Sequence, residues 1–295
     1  MDKYVIKFEN IERQKWISEI TEWRQKIVAS NKENEAVHLY FNKSFNLSNF
    51  EPVNIVVLSC FIDEIRSKGY LNRLDFEDSE LDHFIHNDVR IKNYWTGDKT
   101  HHVSSPSISD LNLWRITNEY KEFYSNSVHD YFKRVHFRGY DLSALTIVLN
   151  ELYSNVFDHA DANENAFSFV RYEKNARKIK IAICDFGKGI AKTLRDKHSE
   201  YKDDCIALEN SIKIRISAQT RKHNRGFGLD TVVSNLQKGG ILRIVSNKAF
   251  LLISEANKNK VKPDPVPFDF KGTLIYFEIS IDSFVLEEII EDFSF

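Results

Sequence analysis

Three groups of residues have types and spacings that could do chemistry. The first lies in LTIVLNELYSNVFDHA, where Glu151, Asn155 and His159 stand at i, i+4 and i+8. A helix puts them in one row. Leu145, Val148, Leu149, Leu152 and Val156 form an apolar stripe on a different face, which must meet a core. Taken alone, the polar row reads as a solvated face. The second group is CDFGKGI, where a strand ends at Cys184 and Asp185 follows, with Gly187 and Gly189 allowing a tight turn into Ile190. An Asp at such a strand end can accept a hydrogen bond from an exocyclic amine such as adenine's, although Asp-x-Gly turns are common. The third is RGFGLDTVVSNL, in which Arg225, Gly226, Phe227, Gly228 and Leu229 open a helix. Bare N–H groups at a helix start favour phosphates, and Arg221, Lys222 and His223 add positive charge upstream. Alone, this Gly-x-Gly reads as a plain loop.

The order and spacing of these groups, with Gly272-Thr273 near the end, are more specific than any one of them. Together they resemble the GHKL (histidine-kinase-like, Bergerat-fold) ATPase superfamily over about residues 135–280. Glu151, Asn155 and His159 look like its N-box. Asp185, Gly187 and Gly189 look like its first glycine box, Gly226, Gly228 and Leu229 like its second, and Gly272 and Thr273 like its last. The Glu-x-x-x-Asn-x-x-x-His form is most similar to bacterial anti-sigma-factor serine kinases. The resemblance implies ATP and Mg²⁺ as cofactors, with the nucleotide between helices and a mixed, mostly antiparallel sheet that has helices on one face. It implies that Asn155 holds the Mg²⁺, that Asp185 reads the adenine amine with Thr273 in support, and that Gly189 lets the backbone pass close to the nucleotide. The N–H groups from Gly226 to Leu229 would bind phosphate oxygens. Glu151 would orient or deprotonate the nucleophile, which is water in an ATPase and a partner's hydroxyl in a kinase. Phosphoryl transfer needs mostly positioning and charge neutralisation, so so few residues suffice.

Other kinase signatures are missing. Asp185-Phe186-Gly187 spells Asp-Phe-Gly, but no His-Arg-Asp loop or Val-Ala-Ile-Lys strand accompanies it, and there is no Walker-type loop. His129 and His136 precede the N-box without a phosphoacceptor pattern. His101 and His102 sit in a polar linker, and His83 and His86 share a helix face with no third metal ligand in sequence.

The elements that must position these residues follow from periodicity. Strands are expected over 4–8, 36–41, 71–76, 166–172, 178–184, 241–246, 250–254 and 273–280. Helices are expected over 11–28, 53–67, from a Ser79 cap to about 89, 110–135, 142–160 and 203–217. The stretch 262–269, with three of the five prolines, is expected to be a surface loop. The fold class is therefore α/β (α+β). A small α/β module at 1–95 looks weakly like STAS domains but lacks their Asp-Ser-Ser/Thr-Gly phosphoacceptor. A linker and connecting helix follow at 96–134, then the ATP-binding domain at 135–282. The tail, 283–295, alternates apolar and acidic residues at helical spacing, as a docked helix or a peptide for a basic partner would.

Composition narrows the classes. There are 41 basic and 43 acidic residues, net −2, which argues against a general nucleic-acid coat. Cys60, Cys184 and Cys205 are an odd set with no paired spacing, which implies a reduced cytoplasm rather than disulfides or zinc, with Cys184 a small core residue. The N-terminus is too charged for a signal peptide, and no apolar run is long enough to span a membrane. The expected partners are ATP and another protein, with no nucleic acid or membrane; a homodimer stays open. Two functions stay open as well: an ATPase or serine-type protein kinase, and a nucleotide-gated binding switch with little catalysis. Ten glycines in 295 residues are about half the usual share, and five of them (187, 189, 226, 228 and 272) fall in the proposed boxes.

Overall fold

The computed structural model describes residues 4–9, 12–30, 35–95, 113–159, 166–212, 229–234, 236, 239–257 and 260–287. In the N-terminal unit, β1 (Tyr4–Phe8), β2 (Ala36–Phe41) and β3 (Leu71–Phe76) alternate with α1 (Arg13–Ser30) and α2 (Pro52–Ser67). The strands pair in parallel in the order β1-β2-β3, the arrangement that helical crossovers produce. Pro52 opens α2 where a missing N–H costs nothing. Glu51 and Asn54 cap it reciprocally, each side chain accepting from the other's backbone N–H. Every residue from Pro52 to Ile62 is buried, so α2 is covered on all sides. The helix expected from a Ser79 cap is shorter: Asp78 caps α3 (Ser79–His83), accepting from the Leu81 N–H at 2.8 Å, and a π-helical turn (Phe84–Asp88) follows. The carboxylate of Asp78 is the better placed acceptor, one residue earlier.

The second unit contains β4 (Trp114–Arg115), α4 (Lys121–Val135), β5 (Tyr140–Asp141), α5 (Ser143–His159), β6 (Ala166–Glu173), β7 (Lys178–Asp185), α6 (Ile190–Lys197), α7 (Asp204–Ser211), α8 (Leu229–Ser234), β8 (Ile241–Ser254), β9 (Asp264–Ser280) and β10 (Val285–Leu286). Its five-stranded sheet runs β4-β6-β7-β9-β8, and each of these pairings is antiparallel. The chain is thus a mixed α/β protein built on a mostly antiparallel sheet, as expected.

Four local expectations need correction. The helix expected over 110–135 begins at Lys121, because Trp114 and Arg115 instead pair with Ser168 and Phe167 at the sheet edge. The expected loop at 262–269 is largely strand. Pro265 and Pro267 fall in the part of β9 that precedes its pairing with β7 at Thr273, where Pro265 stands opposite Ala249 of β8, an edge segment of the kind that tolerates proline. The two strands expected at 241–254 are one strand, kinked where Asn247 takes φ 53° and the register shifts. Within the tail, Val285 and Leu286 pair with β5 as a short strand with exposed side chains rather than forming a helix. Residues 288–295 lie outside the described residues, as do 213–217 of the helix expected to 217.

The sheet is covered on both faces, not one. On one face, Ile179, Ile181, Ile183, Ile275 and Phe277 join Val148, Leu149 and Leu152 of α5 in a core that also takes in Trp114 and Phe132. On the other, Phe167, Phe169, Ala182, Cys184, Leu274 and Tyr276 share a core with α1, α2 and the N-terminal strands. Successive strand residues serve opposite faces.

Candidate functional site

The site is built at the end of β7. Asp185 is its last residue, 2% exposed, and stands in register with Thr273 of β9. The Gly187 N–H donates to Asp185 Oδ1 at 2.9 Å, and the Thr273 hydroxyl donates to the same carboxylate. An ionised carboxylate has about four acceptor positions, so these donors leave capacity for a ligand N–H. Burial pushes the Asp185 pKa up to about 7, against the opposing pull of the Gly187 and Thr273 hydrogen bonds and the Arg24 charge.

The turn after Asp185 is held by β8 and β9. Gly189 takes φ +84°, and a Cβ there would lie 2.5 Å from Asn247 Oδ1, 2.6 Å from the Gly272 carbonyl oxygen and 2.9 Å from Ser246 Oγ. Glycine is therefore required here by the approach of the protein's own strands. Gly272 takes φ +130°, and a Cβ there would overlap the Asp185 carbonyl oxygen. That contact locks the Gly272-Thr273 segment onto the turn after Asp185.

α6 starts from this turn without a side-chain cap of its own. Its first three N–H groups donate instead to Thr273 Oγ1 (Ile190, 3.3 Å), Ser246 Oγ (Ala191, 3.3 Å) and Asn247 Oδ1 (Lys192, 3.0 Å). Ser246 donates in turn to the Gly272 carbonyl at 3.2 Å, and Asn247 Nδ2 to the Lys188 carbonyl at 3.0 Å. The orphan donors of a helix start are thus taken by side chains. Ile190, the first residue of α6, is buried. Ser246 and Asn247 were not singled out in the sequence. Ser-Asn-Lys between two apolar runs signals a turn, but not what the side chains hold.

The polar row of Glu151 and Asn155 lies on α5, which packs against β7, α6 and α8. The expected stripe, Leu145, Val148, Leu149, Leu152 and Val156, is buried. Glu151 is half-buried. Asn155 is 9% exposed, and its Nδ2 is a buried polar atom with no hydrogen-bond partner. Because the O and N of a carboxamide are interchangeable in assignment, this amide has uncommitted bonding capacity on the face that also carries Glu151. His159 ends α5, and its side chain lies outside the described residues, as do Arg225, Gly226, Phe227 and Gly228. Leu229 is buried where it opens α8.

Among the described residues, no group of three or more His, Cys, Asp or Glu could hold a metal. His86 Nε2 lies 3.5 Å from Asp82 Oδ1. Cys60 and Cys184 are fully buried, and the Cys60 thiol donates to the Cys184 carbonyl at 3.2 Å. Burial pushes both thiols up, which makes them inert. Among the described residues, no helix is long and apolar enough to cross a membrane. No model of a known protein family matches the chain, and no curated protein matches it.

Proposed function

We propose that this chain binds ATP with Mg²⁺ between α5 and the ends of β7 and β9, and that it hydrolyses ATP or transfers the γ-phosphate to a partner protein. The observation that carries this reading is the buried Asp185 carboxylate, paired in register with Thr273 at a strand end fixed by Gly272. Burying a carboxylate is costly, and a recognition site for an amine donor gives that cost a use. In this reading Asp185 accepts from the adenine amine, and Thr273 orients the carboxylate through its hydroxyl.

The carboxamide of Asn155, whose Nδ2 has no partner, would present its oxygen to Mg²⁺ when turned over, and Mg²⁺ takes few protein oxygens and keeps water and phosphate as its other ligands. When bound, the ion neutralises phosphate charge. Glu151, one turn earlier on the same row of α5, accepts the proton of the attacking hydroxyl or water. Arg225 and the N–H groups from Gly226 to Leu229 hold the phosphates. His159 completes the polar row.

The test is single-turnover incubation with ATP labelled at the γ-phosphate, with and without cell lysate. Glu151→Ala is expected to bind ATP within a few-fold of the wild type and to lose turnover by at least a hundredfold. Label on a partner protein supports a kinase, and free phosphate alone an ATPase. Retained turnover in Glu151→Ala removes Glu151 from catalysis.

A further inference from the structure

Arg24 belongs to α1, yet it touches both backbone segments that build the Asp185 site. It is 7% exposed. Its Nη1 donates to the Lys271 carbonyl at 2.8 Å, one residue before Gly272. Its guanidinium carbon lies 3.4 Å from the ring centroid of Phe186, the residue between Asp185 and Gly187. Phe186 meets Phe270 edge to face at 5.7 Å. The remaining donors, Nε and Nη2, grip Glu64 of α2 at 2.6 and 3.1 Å. One planar cation therefore joins α1, α2 and both glycine-box segments.

Stability alone does not account for such a group. Buried ion pairs are often replaceable by apolar side chains without loss, whereas a guanidinium fork fixes geometry that lysine cannot. We propose that Arg24 is a positioning residue for the Asp185 site, so that the arrangement of α1 and α2 sets the site's affinity for an adenine nucleotide. The proposal rests on the functional reading above. Any shift of α1 against α2 must break the Arg24–Glu64 fork, and with it the hold on Phe186 and Lys271. The N-terminal unit thus acts on the site through contacts made behind it, without entering it.

A matched pair provides the control. Arg115 of β4 also grips α2, through Asp63, with Nη1–Oδ2 at 2.9 Å and 6% exposure, but its side chain meets Tyr94 and Phe167 rather than the glycine boxes. Full-length Arg24→Lys, Arg24→Met and Arg115→Lys are compared for melting temperature, ATP–Mg²⁺ affinity and amide hydrogen exchange without nucleotide. The Arg24 variants are expected to weaken ATP at least tenfold and to speed exchange at 186–191 and 271–274. Arg115→Lys is expected to lower the melting temperature to a similar degree while keeping affinity within twofold and exchange at those segments unchanged. Arg24 variants that bind within twofold of the wild type, or an Arg115→Lys that weakens binding as much, overturn the proposal. If the wild type binds no ATP, the functional reading fails, and the exchange comparison still decides whether Arg24 positions the site: faster exchange in the Arg24 variants alone supports it, and unchanged exchange overturns it.

Discussion

At the scale of single residues, the glycines carry the sharpest expectations. Gly272→Ala places a methyl on the Asp185 carbonyl at φ +130°, and backbone on both sides cannot yield. Its cost is expected to be about 2–4 kcal/mol. Gly139 has φ +84° with no atom near its virtual Cβ, so Gly139→Ala is expected to cost about 1 kcal/mol. Urea unfolding of the two variants checks the order, and equal costs contradict the packing described. Asp185 carries a pH signature. Its folded pKa of about 7 lies above its ordinary value of 3.8, so the folded state holds a proton that the unfolded state has released. Stability contributed by that proton is present below the ordinary value and is lost as pH rises to about 7. Asp185→Asn is therefore expected to gain stability relative to the wild type between pH 4 and 7, with a constant difference above pH 8. Melting curves across that range test it, and a flat difference contradicts the burial. Asp185 and Gly187 were legible as a turn at a strand end, and Gly272 only through its place in the ordered set of motifs. The reason for Gly189 was not, because the atoms its Cβ would meet come from residues 246, 247 and 272, more than 50 positions away.

At the scale of elements, α6 shows what local patterning hides. Nothing in Ile190–Lys197 supplies an N-cap, and the preceding Gly189 offers no side chain. The helix starts because Thr273, Ser246 and Asn247 present three acceptors across the gap. Its far end is tied by Arg195 to Asp204 of α7 at 2.8 Å, and Asp204 accepts from the Lys248 N–H at 3.2 Å. Ser246→Ala and Asn247→Ala are each expected to cost about 1–2 kcal/mol and to speed hydrogen exchange at Ala191 and Lys192 in particular. Unchanged protection at those two amides contradicts the capping. Strands β2 and β3 and helix α2 were legible from alternation and from Pro52. The long β8 was not, because Asn247 at positive φ interrupts the alternation while pairing continues on either side. Pro265 and Pro267 misled for a related reason: their strand segment precedes the pairing with β7, which only the sheet order reveals.

At the scale of the whole molecule, the N-terminal unit is part of the architecture of the site. It closes the outer face of the five-stranded sheet with α2 and reaches the Asp185 site with Arg24, through the Lys271 carbonyl. A signal for this lay in the sequence. Ile181–Cys184 of β7 and Leu274–Phe277 of β9 are uninterrupted apolar runs, buried at every position, and a continuous apolar run marks a strand covered on both faces. A sheet with helices on one face needs only alternate apolar residues. What the sequence could not give is which unit supplies the second cover, since that contact joins residues more than 100 positions apart, as Cys60 and Cys184 do. The account as a whole rests on nucleotide binding at Asp185, and thermal denaturation of the full chain tests it most directly. ATP–Mg²⁺ at about 100 times its dissociation constant stabilises by about 2.7 kcal/mol, so the wild-type melting temperature is expected to rise by several degrees while Asp185→Asn shows no shift. A wild type unmoved by millimolar ATP–Mg²⁺, or an Asp185→Asn that shifts equally, contradicts the account.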